Sequence, residues 1–387
     1  MKLALMTLAA AGALAAAAAL AQDSPNAPPP APAVDPEAPV SAGEARETAT
    51  ALAAILEESY VFPDVARRYA ETLRARAGAG DYDRLATAGA LADRLSEDLR
   101  AVSPDNHLRI IPGRPGNGPM ARVVRAPAGA APPPGAQPRR MRMPAGPPIE
   151  EARQLAPGIA YIRFNLFPGD AETVAAARRF MAENAGAKAI VFDIRTHRGG
   201  GLAEMDAIFP YLFDKPTALV RMDTRTSVAH ANPMAESATI RRVPTGEDVV
   251  RTEHFVTPDA TEKRLFGARV FVLTSAFSGS AAEHFALALK RTRRATLIGE
   301  TTAGAGNYGG FRPLGDKFSV FVPVGRTFDP DTGKGWEGTG VAPDVPVPAD
   351  RALAEALARS GLDRAEADRI AAEVKPQGPM TRVVPRS

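Results

Sequence analysis

Between residues 43 and 102 the apolar positions recur with the period of an α-helix. Thr48, Ala51, Leu52, Ile55 and Leu56 share one face of the segment 44–60. Leu73, Leu85, Leu91, Leu95 and Leu99 continue the pattern through two further segments. The spacing predicts about three helices, ended by Ser103-Pro104-Asp105-Asn106. After Ala156 the pattern changes. Residues 159–164, 188–194, 269–274, 296–299 and 318–324 read as strands, and 170–185, 202–213 and 280–291 as helices between them. This alternation predicts an α/β fold with a mainly parallel sheet. Residues 353–374 read as a helical appendage before a loose tail, and no internal repeat is visible.

Two stretches interrupt the pattern. Residues 22–43 are rich in Pro and Ala, with Pro28-Pro29-Pro30, and predict an extended tether. Residues 112–150 are dense in Pro, Gly, Ala and Arg, with Pro132-Pro133-Pro134 and Arg139-Arg140. So long a stretch without periodicity predicts an excursion or linker, with short strands at 121–124 and 140–143. The expected organisation is therefore a leader at 1–21, the tether at 22–43 and a small helical domain at 44–111. The linker at 112–150, a core at 151–349 and C-terminal helices with a tail at 350–387 follow.

The leader carries an address. Met1-Lys2 is a basic start, residues 3–20 are apolar apart from Thr7, and Ala19-Leu20-Ala21 fits cleavage after Ala21. A retained membrane anchor is the alternative. Against it, the stretch is dominated by alanine and ends in Gln22-Asp23 rather than a basic cluster. With no cysteine after the cut, a lipoprotein is excluded. The expectation is a periplasmic or secreted protein without a stable membrane span.

Composition narrows the chemistry. The 387 residues are 45% hydrophobic and 24% charged, an ordinary globular balance. A formal net charge of +3 leaves no electrostatic footprint for nucleic acid. The absence of cysteine removes disulfides, thiolate metal sites and a cysteine nucleophile together. No H-E-x-x-H, EF-hand loop or histidine pair at metal-ligand spacing occurs, so neither metal nor cofactor is expected.

Four segments carry candidate chemistry. In Thr274-Ser275-Ala276-Phe277-Ser278-Gly279-Ser280-Ala281-Ala282-Glu283 a buried strand turns into a helix through small residues. A serine hydroxyl there lies near backbone N–H groups that favour developing negative charge. The plainer reading is that Ser278 or Ser280 caps the helix. In Asp193-Ile194-Arg195-Thr196-His197-Arg198-Gly199-Gly200-Gly201 a strand meets a Gly-rich turn that can expose N–H groups, as an oxyanion hole requires. A simple tight turn or a phosphate loop are its alternatives, and the P-loop and dinucleotide spacings are absent. Asp105-Asn106-His107 places a histidine at the end of a segment, where a base for a serine can sit. His197 is the rival base, and His284 stands too close to Ser280 on one helix. Finally, Trp336-Glu337-Gly338-Thr339-Gly340-Val341-Ala342-Pro343-Asp344 sets the only tryptophan beside a carboxylate. Glu337 or Asp344 can orient a histidine from there, or the segment is a surface turn.

Taken in order, these pieces resemble the S41 family of serine peptidases, which comprises the C-terminal-processing or tail-specific proteases, the tricorn core protease and interphotoreceptor retinoid-binding protein. Gly299-Glu300-Thr301-Thr302 and Ile159-Ala160-Tyr161-Ile162 add to the match, which spans about 102–348. The resemblance implies a crotonase/ClpP-like spiral core behind a helical N-terminal domain. It puts the nucleophile at Ser280 rather than Ser278, with oxyanion donors at the N–H of Ala281 and of Gly199 or Gly200. The tail-specific branch uses a lysine base, yet Ala305 stands where that lysine falls, in Gly304-Ala305-Gly306. The tricorn-like branch uses a histidine and a glutamate, to which His107 and Glu337 correspond. The usual PDZ domain is missing, with only the Pro-rich stretch in its place. The implied function is an exported serine endopeptidase acting on protein or peptide substrates. A non-catalytic lipid or peptide binder on the same fold is the alternative, and acyl-CoA chemistry a third. No oligomeric state follows from these residues.

Overall fold

A computed structural model of the chain describes residues 35–113, 146–231 and 236–381. The leader, most of the tether, and the strands expected at 121–124 and 140–143 lie outside the described residues. Three helices open the fold: α1 (Ala42–Ser59), α2 (Pro63–Ala79) and α3 (Ala88–Val102). Each begins where chemistry favours it. Ser41 and Glu44 form a capping box on α1, Pro63 enters α2 at its first turn, and the Thr87 hydroxyl caps α3.

Next come β1 (Arg109–Pro112), β2 (Ile149–Ala156), β3 (Ile159–Phe164), α4 (Ala171–Glu183), β4 (Ala189–Asp193) and α5 (Ala203–Ile208). They are followed by β5 (Thr217–Arg225), α6 (Thr226–Ala231), β6 (Ile240–Val243), β7 (Val249–Val256), β8 (Arg269–Thr274) and α7 (Ala281–Arg291). The chain finishes with β9 (Thr296–Gly299), β10 (Asn307–Leu314), β11 (Phe318–Phe328), β12 (Val345–Pro346), α8 (Ala352–Arg359) and α9 (Arg364–Glu373).

These strands build two sheets, giving a mixed α/β fold. One sheet runs β12-β9-β8-β4-β3-β2, parallel except for β2. Its central strands are apolar on both faces because helices cover them, as βαβ connections require. The other runs β1-β11-β5-β7-β6, with β10 also on β11, and is antiparallel throughout. The segment 318–324, expected within the parallel sheet, is thus part of an antiparallel one. The reason is local: β10 and β11 are joined by a short turn at Gly315, which only an antiparallel pair allows.

The core divides accordingly. One cluster lies between the parallel sheet and α4, α5 and α7, around Phe192, Phe209 and Phe285. A second, on the opposite face, holds Tyr161, Val191 and Leu273 against α8 and α9. The third is shared. Leu52, Leu56, Leu73, Leu91 and Leu95 of the helices pack with Leu314, Phe318, Val320 and Val322 of β10 and β11. The helical layer therefore has no core of its own, and its last turn is carried against the sheet that leads to the site.

Candidate active site

Strand β8 ends at Thr274, and the chain reaches α7 through a turn in which each serine has a separate task. Ser275 Oγ donates to the Arg195 carbonyl at 2.5 Å. Ser278 is fully buried; its Oγ donates to the Ile194 carbonyl at 2.8 Å and accepts from Ser275 N at 3.0 Å. Both stitch the turn to the end of β4, so Ser278 is not a free hydroxyl.

Ser280 differs. Its φ of 59° and ψ of −117° put a non-glycine residue in a strained backbone region. Its N–H donates to Glu283 Oε2 at 2.8 Å, and Glu283 N donates to the Ser280 carbonyl at 2.8 Å. Ser280 is thus the N-cap of α7, and the Glu283 side chain closes a capping box onto its N–H. Glu283, fully buried, also accepts from Thr302 Oγ1, Gly304 N and Ala305 N. Burial pushes its carboxyl upward, and these donors hold it back.

The Gly-rich turn lies directly against this serine. Gly279 N donates to the His197 carbonyl at 3.1 Å. A Cβ on Gly199 would lie 2.8 Å from Ser280 Cβ, and one on Gly200 would lie 1.9 Å from the Phe167 carbonyl oxygen. Both have positive φ, 113° and 132°. Only glycine serves at either position. The Gly199 N–H donates to His197 Nδ1 at 3.0 Å. No bond engages the Gly200 N–H among the described residues. His197 itself is fully buried against Phe167, and burial together with the Arg198 charge pushes it down to about 3. A neutral imidazole so placed orders the turn and is a poor candidate for the base. His254 and His284 face each other at 2.9 Å and are buried as well.

His107 is reached from the other side. Asp105 Oδ1 accepts from the His107 and Leu108 N–H groups, and its Oδ2 accepts from Tyr60 Oη and Asn307 Nδ2. The imidazole stacks on Phe321, with centroids 5.4 Å apart, and its Nδ1 lies 4.0 Å from Glu337 Oε2. Glu337 Oε1 accepts from Asn106 N at 2.7 Å, and Oε2 accepts from Gly306 N and Asn307 N at 2.6 and 2.9 Å. Burial and the nearby Asp105 charge push Glu337 up to about 7, against these three donors. Asp105, His107 and Glu337 have potential ligand atoms within 4.8 Å of one another. Every oxygen of the two carboxylates already accepts an N–H or O–H, so the set suits fixing a histidine better than holding a cation.

The loop 302–307 joins the two halves. It gives Thr302, Gly304 and Ala305 to Glu283 and Gly306 and Asn307 to Glu337, while Asn106 Nδ2 donates to the Gly304 carbonyl at 2.7 Å. Ala305, in the place of the tail-specific lysine, is buried here with its N–H on Glu283. Asp344 accepts from Leu297 N and pairs with Lys290, away from His107. Asp193 and Arg195 anchor β4 from below. Against the cost of burial, Arg195 and Arg163 hold the Asp193 carboxyl well below its usual range. Of the supporting residues, Asn106 and Thr302 lie in the Asp105-Asn106-His107 and Gly299-Glu300-Thr301-Thr302 segments of the resemblance, which gave them no role, and Asn307 lies in neither. Only Glu283, three residues after Ser280, has a spacing that announces its role.

Comparison with known proteins defines the class. Residues 158–347 match the model of peptidase family S41, and residues 43–137 match that of the N-terminal domain of S41 peptidases in eukaryotic interphotoreceptor retinoid-binding protein. The chain belongs to peptidase family S41, a membership that implies a serine peptidase.

Among solved structures it is similar to a protein of Parabacteroides merdae assigned as a peptidase. The identity is 18% over 79% of this chain and 90% of that one, with a TM-score of 0.51, a likeness of fold. It also matches the photosystem II D1 C-terminal processing protease at 25% identity over 54% of this chain, with a TM-score of 0.39. The chain spans about half the length of that protease, 48%. The tricorn protease matches at 20% identity over 56% of this chain and 18% of its own length, with a TM-score of 0.34.

Proposed function

We propose that the protein is an exported serine endopeptidase that cleaves protein or peptide substrates through Ser280, with His107 as base. The two sheets would form the crotonase/ClpP-like spiral core implied by the family. In this reading His107 takes the Ser280 proton as Oγ attacks a peptide carbonyl. The N–H groups of Ala281 and Gly200 receive the oxyanion, Gly199 being committed to His197. His107 then protonates the leaving amine, and a water deprotonated by the same imidazole releases the acyl group. Glu337 holds the imidazole and stabilises its cation.

The observation that carries the reading is the loop 302–307, whose N–H groups are shared between the glutamate under Ser280 and the glutamate beside His107. Export rests on the leader alone. No described helix is long and apolar enough to cross a membrane.

The test is digestion of an unfolded protein by the mature chain and by its Ser280→Ala and His107→Ala forms, with products read by mass spectrometry. Loss of cleavage in both variants supports the assignment. Cleavage that survives His107→Ala moves the base elsewhere, and cleavage that survives Ser280→Ala removes the nucleophile.

A further inference from the structure

Three arginines stand in or beside the Gly-rich turn, and two of them are spent. Arg195 donates to Asp193 and to the Ala349 carbonyl, and Arg163 to Asp193, Glu150 and the Val374 and Lys375 carbonyls. Both are buried. Arg198 has the opposite character. It is exposed, and no carboxylate, carbonyl or ring receives its guanidinium among the described residues. Its main chain is nonetheless fixed. Arg198 N donates to the Asn165 carbonyl at 3.0 Å. The preceding carbonyl, of His197, accepts from Gly279 N, and the following residue, Gly199, is the one pressed against Ser280.

We infer that Arg198 is a specificity residue which recognises a carboxylate on the substrate next to the bond being cut. A full cation without a counter-ion, held on a rigid turn at the nucleophile, is a ready partner for a planar anion. Arginine is suited to this because its fork matches the two oxygens of a carboxylate. Partial burial also pushes Arg198 downward, so the charge is part-desolvated with no carboxylate beside it among the described residues. The carboxylate has two sources, an Asp or Glu side chain near the cut or the free C-terminus of a short substrate.

The inference rests on the peptidase reading, and its test separates the two. A decapeptide spanning a cut mapped in an unfolded protein is made in matched forms, with Glu or Gln flanking the cut and with a free or amidated C-terminus. Its kcat/KM is measured with the native chain, Arg198→Gln and Arg198→Lys. The native chain should favour a carboxylate form by about tenfold or more, the scale of a charge-assisted hydrogen bond. Added salt should shrink that ratio. Arg198→Gln should bring it toward one, and Arg198→Lys should keep part of it. The Glu/Gln pair reports a side-chain carboxylate and the acid/amide pair a terminal one.

Equal rates on all forms, or a preference that survives Arg198→Gln, overturn the inference while the peptidase stands. If nothing is cut, the peptidase reading fails, and binding of the same peptides to the chain decides the inference. Tighter binding of a carboxylate form, lost in Arg198→Gln, supports it. Equal or absent binding overturns it.

Discussion

Gly199 and Ser280 are in contact so close that a single added carbon on the glycine would lie 2.8 Å from the serine Cβ. The turn that presents N–H donors and the turn that presents the hydroxyl are thus one packed unit. Gly199→Ala must push Ser280 aside and adopt a positive φ. Cleavage should fall by about 10²-fold or more, the typical loss when oxyanion geometry fails. Steady-state kinetics checks this, with circular dichroism to show that the chain still folds.

Ser280 carries backbone strain that a glycine does not feel. Ser280→Ala and Ser280→Gly should both abolish cleavage. The glycine form should be the more stable of the two, by about 1–3 kcal/mol. Urea unfolding of both variants measures the difference. Equal stabilities would mean that the turn does not hold the strained conformation in solution.

Glu337 has a folded-state pKa of about 7 against an ordinary value of 4.5. Between these values the folded chain binds more protons than the unfolded one. Its contribution is therefore full below pH 4.5 and is lost as pH rises through about 7. Glu337→Gln should remove this loss, so its stability falls less than that of the native chain between pH 5 and 8. In catalysis the sign is reversed, because the ionised carboxylate is the form that stabilises an imidazolium. The native kcat/KM should rise through about pH 7. Glu337→Gln should lower it and flatten that limb, as a pH–rate profile would show.

His197 works in the other direction. It is buried neutral with a pKa of about 3, whereas the unfolded chain protonates it near 6.5. Its stability contribution is present above pH 6.5 and is lost as pH falls through about 3. His197→Asn offers an acceptor to the Gly199 N–H without the proton. The variant should lose less stability between pH 7 and 4 than the native chain does, measured by thermal melts across that range.

Asp193 sits between two buried guanidinium groups, bonded to both and to the Tyr161 hydroxyl. Removing it strands two cations. Asp193→Ala should cost about 3–5 kcal/mol, the usual effect of breaking a buried pair from one side. Denaturant unfolding measures it, and a cost below 1 kcal/mol would show that water reaches the site.

What the sequence made legible follows from burial. Strands β3, β8 and β9 lie where their apolar runs predicted, because strands covered on both faces read as unbroken hydrophobic segments. Strands β5 and β7 escaped that reading. Their charges alternate with apolar residues and pair across the sheet, Arg251 with Asp223 and Arg221 with Glu253, so each segment alone looks like a loop. Strand β10 contains Gly309, Gly310 and Pro313, which mark turns in most contexts. At the site, the local sequence leaves Ser278 and Ser280 both open, and the family resemblance alone put the nucleophile at Ser280. What separates them in the structure is a carbonyl just past the end of β4, that of Ile194, 84 positions away from Ser278. The same holds for His107 and His197, which differ in what encloses them rather than in what flanks them in the chain.

The bond from Asn106 to Glu337 spans 231 positions, with Ser280 lying between its ends. A chain that emerges from its N-terminus delivers the histidine early and the carboxylate that fixes it near the very end. Until residue 337 has been made, His107 therefore lacks this carboxylate. On the proposed assignment, a chain cut short before Glu337 would carry the serine and the histidine without the group that orients them, and would cleave poorly.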